Sequence, residues 1–289
     1  MNILVLGATG MLGYSLFSNL SDHKGHKVFG TVRSLDGKRQ FFDGHLDKII
    51  ENVDVNDLSS VESALTKVDA DVLINCVGII KQHDISKQHI SAIEINSLLP
   101  HKLARICNKH STRLIHFSTD CVFDGKNGNY NETDFPSAND LYGRSKCLGE
   151  VDYGGHLTLR TSIIGHELNS SVSLIDWFLS QGKEVNGFTK AVFSGLPTCF
   201  IAKILIERVL ENLSLKGLYH LSVEPIDKFN LISLVSEVYR KEIVIHENTD
   251  LVVDRSLNSK SFQDQTGFLP PDWRELIKYM HKDYLKRYV

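Results

Sequence analysis

Tyr142 and Lys146 stand four residues apart in the run Tyr142-Gly143-Arg144-Ser145-Lys146. In a helix that spacing puts both side chains on one face. An ammonium beside a phenol favours the phenolate. At about 4 Å and an effective dielectric of ~20 the attraction is roughly 4 kcal/mol, enough to bring a tyrosine from about 10 towards about 7. Such a phenol exchanges a proton with a substrate oxygen at neutral pH. Thr119, in Ser118-Thr119-Asp120, carries a hydroxyl able to hold that oxygen. Many amphipathic helices contain Tyr-x-x-x-Lys by chance, so the pair takes its meaning from the elements around it.

The first of these is at the N-terminus. Ile3-Leu4-Val5-Leu6 is an unbroken apolar run, as expected of a strand covered on both faces. It ends in Gly7-Ala8-Thr9-Gly10-Met11-Leu12-Gly13, and Leu12, Leu16 and Leu20 then share one helical face. One glycine permits the sharp turn. Another lets the backbone approach a pyrophosphate, and a third lets the helix pack close to the sheet. The open amides and partial positive charge of the helix start attract a phosphate. The spacing is one residue longer in its first gap than the usual dinucleotide fingerprint. Its position after a buried N-terminal strand is what points to a dinucleotide site rather than a plain turn.

The remaining elements continue the alternation. A second strand over 26–32 ends in Arg33-Ser34 with no acid, which favours the 2′-phosphate of NADPH over NADH, the alternative dinucleotide. Residues 35–48 read as a loop and 53–55 as a third strand, with Asp54 either facing an adenine edge or serving as a turn acid. A helix over 57–67, a fourth strand over 72–78 ending at Gly78, a helix over 93–109 and a fifth strand over 114–117 follow. Asn96, inside that helix, is either a structural polar group or an active-site support. The expected fold is an α/β Rossmann-type doubly wound parallel sheet with a smaller C-terminal substrate-binding lobe. Right-handed crossovers then align Gly7, Gly78 and Thr119 along one edge. Residues 1–165 form the dinucleotide-binding half, joined by a returning segment near 198–222, and 166–289 form the substrate lobe.

In that second half a helix over 172–181 carries Trp177, and 182–198 reads as an irregular, substrate-facing loop. Phe200, Ile201, Ile204, Leu205 and Leu210 stripe a helix as core. Residues 218–221 form a short strand rejoining the main sheet, and helices cover 229–240 and 273–284. Arg144, Arg160 and Arg255 are conceivable partners for a substrate diphosphate, although a structural or solvated role is the more ordinary reading of any one of them.

Composition narrows the partners. The chain has 289 residues, 42% hydrophobic and 23% charged, and a net charge of -3. That balance argues against a nucleic-acid partner, which would call for a basic face. No apolar run reaches membrane length, and the N-terminus leads directly into a strand without a leader. None of the five cysteines forms a Cys-x-x-Cys pair and the 13 histidines show no metal spacing, so neither metal nor disulfide framework is expected. A reducing cytoplasm is the simplest setting.

Taken together, these motifs make the chain similar to the extended short-chain dehydrogenase/reductases, most closely the dTDP-4-dehydrorhamnose reductase family. The matching stretches are Gly7 to Gly13, Ser118-Thr-Asp-Cys-Val-Phe-Asp-Gly125, Tyr142 to Lys146, Leu159-Arg-Thr-Ser162, Gly195-Leu-Pro-Thr198, Gly217-Leu-Tyr-His-Leu221, Arg255-Ser-Leu-Asn258 and Pro271-Asp-Trp273. The resemblance implies NADPH-dependent reduction of a 4-keto group on a nucleotide-linked 6-deoxyhexose, a step towards polysaccharide precursors. In that scheme Tyr142 donates the proton, Lys146 tunes it and binds the nicotinamide ribose, and Thr119 holds the keto oxygen. Implied dinucleotide contacts are Gly7, Thr9, Gly10, Met11, Leu12, Arg33, Asp54, Val55, Cys76, Val77, Gly78, Asn96 and Ser118, together with Tyr142 and Lys146. Implied substrate contacts are Thr119, Asp120, Val122 and Phe123. The implied partner is the nucleotide sugar, with a homodimer as the assembly to test.

Two departures fall near the expected sugar pocket: Val192-Phe193 replace a frequent Asp-Gln, and Cys121 replaces a common tyrosine. The loop from Thr119 to Tyr142 is also slightly short. The resemblance therefore leaves the particular sugar open. Two alternatives share the fold. One is a sugar-nucleotide dehydratase or epimerase, disfavoured because Cys121 follows Thr119-Asp120 where dehydratases tend to carry an acid pair. The other is a non-catalytic NADP-binding regulatory subunit, disfavoured by the intact Tyr142 and Lys146.

Overall fold

The computed structural model describes residues 1–79 and 88–289. Six strands in chain order are β1 (Asn2–Leu6), β2 (Lys27–Thr31), β3 (Ile49–Ile50), β4 (Val72–Asn75), β5 (Arg113–Thr119) and β6 (Leu157–Thr161). With the strand Gly217–His220 they make one seven-stranded parallel sheet, ordered Gly217–His220, β6, β5, β4, β1, β2, β3. The strand order reverses between β1 and β4, the crevice where such sheets bind ligands.

Helices α1 (Met11–Ser21), α2 (Leu58–Val68), α3 (His89–Ala92) and α4 (Leu99–Lys109) cover the two faces, and α5 (Leu141–Leu148) follows β5. The apolar run of β1 divides by alternation. Ile3 and Val5 join the core containing Leu16, Phe17 and Leu20 of α1, and Leu4 and Leu6 face Val61, Leu65 and Leu103 of α2 and α4. Leu16 and Leu20 are wholly buried, each worth about 1.5–3 kcal/mol. The α1 core continues into the second half through Ile201, Leu231 and Leu276, so the two halves share one hydrophobic interior. Among the described residues no helix is long and apolar enough to cross a membrane.

Four sequence expectations change. The third strand is Ile49–Ile50, not 53–55, because Asn52 adopts φ 63° and turns the chain. Residues 35–48 contain two short 3-10 turns, and Phe42 is wholly buried against Tyr14 and Phe17. The helix expected at 93 begins at His89 and passes through a π-helical turn, Ile93–Leu98, before α4. The stretch 182–198 is built from strands. Glu184–Phe188 pairs with Val244–Asn248, Leu196–Pro197 with Ile163–Ile164, and Ala191–Phe193 with both Ile226–Asp227 and Val253–Asp254.

Candidate active site

The glycines of the first turn differ in what the protein asks of them. Gly7 has φ +85°, and a Cβ there would press on Val77. A Cβ on Gly13 would collide with the Gly7 carbonyl oxygen. Gly10 is exposed in an extended conformation open to any residue, and a Cβ would meet nothing closer than Gly7 O at 3.7 Å. Among the described residues no contact requires glycine there, and its openness leaves room for a ligand. The helices α2 and α5, Lys228–Tyr239 and Trp273–Arg287 each begin with an aspartate side chain accepting an amide of the first turn. At α1 the capping position is Gly10 and no side chain among the described residues caps it, so its first amides suit an anion. These features fit the pyrophosphate of a dinucleotide. Thr9 and Met11 are half-exposed at this turn, and Leu12 is buried.

The neighbouring strand ends meet this turn. Thr31 of β2 accepts the Ala8 amide through its carbonyl at 2.9 Å and the Gly7 amide through its hydroxyl at 3.3 Å. Arg33, just beyond, is exposed, and no hydrogen bond or ion pair holds its guanidinium among the described residues. Asp54 accepts the Asn56 amide and side chain at 2.9 Å each, which gives one carboxylate oxygen a turn role; Val55 is half-buried beside it. After β4, the Cys76 amide donates to Leu6 O at 3.1 Å and the Val77 amide to the Asn75 side chain at 3.0 Å, leaving Gly78 exposed. Asn96 lies buried in the π-helical turn. It accepts from the Ile79 amide (2.9 Å) and donates to the Ile79 carbonyl (3.0 Å) and the Ser145 hydroxyl (3.2 Å). Ser145 in turn donates to Tyr142 O at 2.9 Å. Asn96 thereby ties the β4 loop to the helix that carries Tyr142 and Lys146.

At the end of β5, Thr119 Oγ1 donates to Asp120 (3.0 Å), accepts from the Cys121 amide (3.1 Å) and lies within hydrogen-bonding reach of the Tyr142 phenol. Val122 and Phe123 are fully buried, with Phe123 stacked on Tyr130 at 4.1 Å. Their side chains belong to a small core cluster. Ser118 donates to Glu150 at 2.6 Å.

The acid–base arrangement differs from the one expected. Lys146 Nζ donates to the Phe117 carbonyl at 2.7 Å, and its charge is not among the main influences on Tyr142. Burial raises the Tyr142 pKa, the charges of Cys121, Asp120 and Asp140 add to the effect, and the Thr119 hydroxyl opposes it. The phenol of the free protein therefore keeps its proton at neutral pH, the state a proton donor needs. Burial lowers Lys146 to about 8, with Glu150 opposing. Burial and the charges of Lys146 and His101 hold His116 well below its ordinary value, so it is neutral.

A pH signature follows. As pH rises through about 8 the ammonium is lost, and kcat/KM is expected to fall on that alkaline limb. Stability moves the other way. The unfolded lysine keeps its proton to about 10.5, so deprotonation in the folded chain relieves a burial cost between those two values. Rate and melting profiles measured from pH 7 to about 10 separate the two effects; a kcat/KM that stays flat there removes Lys146 from the acid–base machinery.

Some expectations are relocated. Arg160 is 4% exposed and paired to Glu150 through two 2.7 Å contacts, so it is a structural cation rather than a diphosphate partner. Arg144 is exposed and donates to Ala138 O, whereas Arg255 is half-buried and donates to Phe123 O at 3.0 Å. Phe193 packs against Trp273 in the core. Lys228, at the start of a C-terminal helix, comes within electrostatic range of Asp120, Cys121 and Arg255. Its only sequence signal is a position after a capping aspartate, which marks a helix start and no partner.

A doubly wound sheet with a glycine turn at its switch point, a Thr at one strand end and Tyr-x-x-x-Lys on the following helix defines the extended short-chain dehydrogenase/reductase class. Residues 1–286 match the family model described as RmlD substrate binding domain, and the chain belongs to that family. It is 35% identical over 151 residues to a probable low-salt glycan biosynthesis reductase, Agl14, of Haloferax volcanii; the match covers 52% of this chain and about half, 48%, of that protein. It is 26% identical to a dTDP-4-dehydrorhamnose reductase of Aggregatibacter actinomycetemcomitans, over 96% of this chain and 97% of that one. Its fold is similar to that of a dTDP-4-dehydrorhamnose reductase of Bacillus anthracis solved with NADP, with a TM-score of 0.78, 19% identity and coverage of 98% and 99% of the two chains.

Proposed function

We infer that the protein is an NADPH-dependent reductase of a 4-keto group on a nucleotide-linked 6-deoxyhexose, with NADH as a second, weaker donor. The observation that carries this reading is the fastening of the helix that bears Tyr142 to the sheet edge beside Thr119, by Lys146 Nζ on Phe117 O at 2.7 Å and Asn96 on Ser145 at 3.2 Å, next to the uncapped glycine turn of α1. Residues 1–165 with the returning strand hold the dinucleotide, and 166–289 close over the sugar. When bound, the nicotinamide supplies hydride to the carbonyl carbon. Thr119 holds the keto oxygen, Tyr142 Oη gives its proton to that oxygen, and Lys146, held by the Phe117 carbonyl, binds the nicotinamide ribose as a cation. Gly7, Gly10 and the first turn of α1 receive the pyrophosphate. Arg33 receives the 2′-phosphate.

The test is NADPH oxidation on addition of UDP-, dTDP- or GDP-linked 4-keto-6-deoxyhexoses, run beside Arg33→Ala. Turnover with one of the series is expected. The variant should bind NADPH about 10- to 100-fold more weakly, the value of one charge-assisted contact, with NADH nearly unchanged. No NADPH oxidation with any of them, or a rearranged sugar formed without added reductant, overturns the reductase reading.

A further inference from the structure

Three short strands of the second half bring their ends to the same place. Asp227 and Asp254 both lie opposite Val192, on either side of the strand Ala191–Phe193. Lys228 and Arg255 come immediately after them, and the Arg255 amide donates to Val192 O at 3.1 Å. This small sheet is fastened to the segment that follows Thr119. The Asp254 amide donates to Gly125 O at 2.8 Å and Arg255 Nε to Phe123 O at 3.0 Å. Lys228 and Arg255 come within electrostatic range of Asp120, beside the proposed catalytic pair.

The carboxylates there are already engaged. Asp120 is 6% exposed and already accepts the Thr119 hydroxyl. Arg255 directs its Nε to a carbonyl. Lys228 is half-buried, and among the described residues no hydrogen bond or ion pair holds its ammonium. Burial lowers its pKa, Asp120 and Cys121 act to keep it charged, and Arg255 opposes them. A partly desolvated ammonium without an acceptor is costly. Asp227 and Asp254, the residues before them, accept from the Asn230 and Ser256 amides, so the two cations keep capacity for an added anionic oxygen.

We propose that Lys228, with Arg255 behind it, receives an anionic oxygen of the nucleotide sugar and so positions the substrate in this cleft. The inference rests on the nucleotide-sugar reading above. Two groups share the required chemistry: the sugar-proximal phosphate and a carboxylate on the sugar ring. The phosphate is favoured, because every nucleotide sugar carries it across the ring from the reacting carbonyl.

The experiment measures binding of dTDP and UDP to the full chain with NADP present, for wild type, Lys228→Met, Lys228→Gln and Lys228→Arg. Affinity of the better-bound diphosphate should fall about 10- to 100-fold in the Met and Gln variants and largely return in the Arg variant. NADP affinity should stay within about twofold, which also reports that the fold is intact. For a turned-over keto-sugar, KM should rise with kcat little changed, as expected for lost uniform binding. Unchanged diphosphate affinity with a KM increase confined to a carboxylate-bearing sugar assigns the contact to the carboxylate. Diphosphate affinity and KM both unchanged in a variant that still binds NADP overturn the proposal. If wild type itself binds neither diphosphate and turns over no keto-sugar, the nucleotide-sugar reading falls and this inference with it.

Discussion

Tyr142→Phe is expected to lower kcat by about 10²- to 10⁴-fold, the range of a positioned general acid, while NADPH affinity changes by less than about twofold. The asymmetry follows from what the substitution removes. The ring remains, so the packing of α5 is kept. The backbone carbonyl of Tyr142 still accepts Ser145, which still bonds Asn96. Lys146 is held by the Phe117 carbonyl rather than by the phenol and stays in place. The loss is confined to a hydroxyl beside Thr119 whose proton burial retains in the resting protein. With that proton gone, an alkoxide forming at the keto carbon must take one from water, less well placed. Stopped-flow NADPH oxidation and fluorescence titration of the cofactor give the two quantities. Turnover within about threefold of wild type would assign the proton to another group, since so small a change falls below the effect of any general acid.

That phenol also marks how far local sequence carries. The spacing from Tyr142 to Lys146 places both on one helix, but the ammonium's partner is a carbonyl 29 residues earlier, and no local pattern reports that choice. Gly7, Gly10 and Gly13 were legible because a strand, a turn and a helix follow one another directly. The sheet edge was legible because parallel strands with short crossovers bring their ends together. Three parts were not. Ile49–Ile50 is a two-residue strand ended by the left-handed Asn52, too short for any periodicity. The strands around Val192 owe their existence to pairing with residues 35 and about 60 positions away. Lys228 gains its neighbours only through that pairing.

The second large effect comes from Glu150 and Arg160. Their side chains are 9% and 5% exposed and meet through two contacts of 2.7 Å. Arg160 also reaches His220 Nε2 at 3.3 Å and lies over the Phe123 ring, while Ser118 donates to Glu150. Burial and the Arg160 charge hold His220 down to about 3, so it is neutral, giving its Nδ1 proton to Tyr130 O and accepting at Nε2. Arg160→Met leaves the Glu150 carboxylate buried without its cation, a change that costs about 3–5 kcal/mol. At about 2–4 °C per kcal/mol for a chain of this size, Tm should fall by roughly 6–20 °C. Glu150→Leu combined with Arg160→Met removes both charges and should recover much of the loss, because a buried pair replaced by apolar groups is often neutral or better. A single variant melting within about 2 °C of wild type would show that the carboxylate finds water or another donor there. The pair also bears on the chemistry. Glu150 is the charge that opposes the lowering of Lys146. Glu150→Gln removes that support, so the Lys146 value drops below about 8, and the alkaline fall in kcat/KM should begin at lower pH. A structural loss alone would reduce the amplitude of the pH profile without moving its midpoint, which makes the midpoint the quantity that distinguishes the two roles.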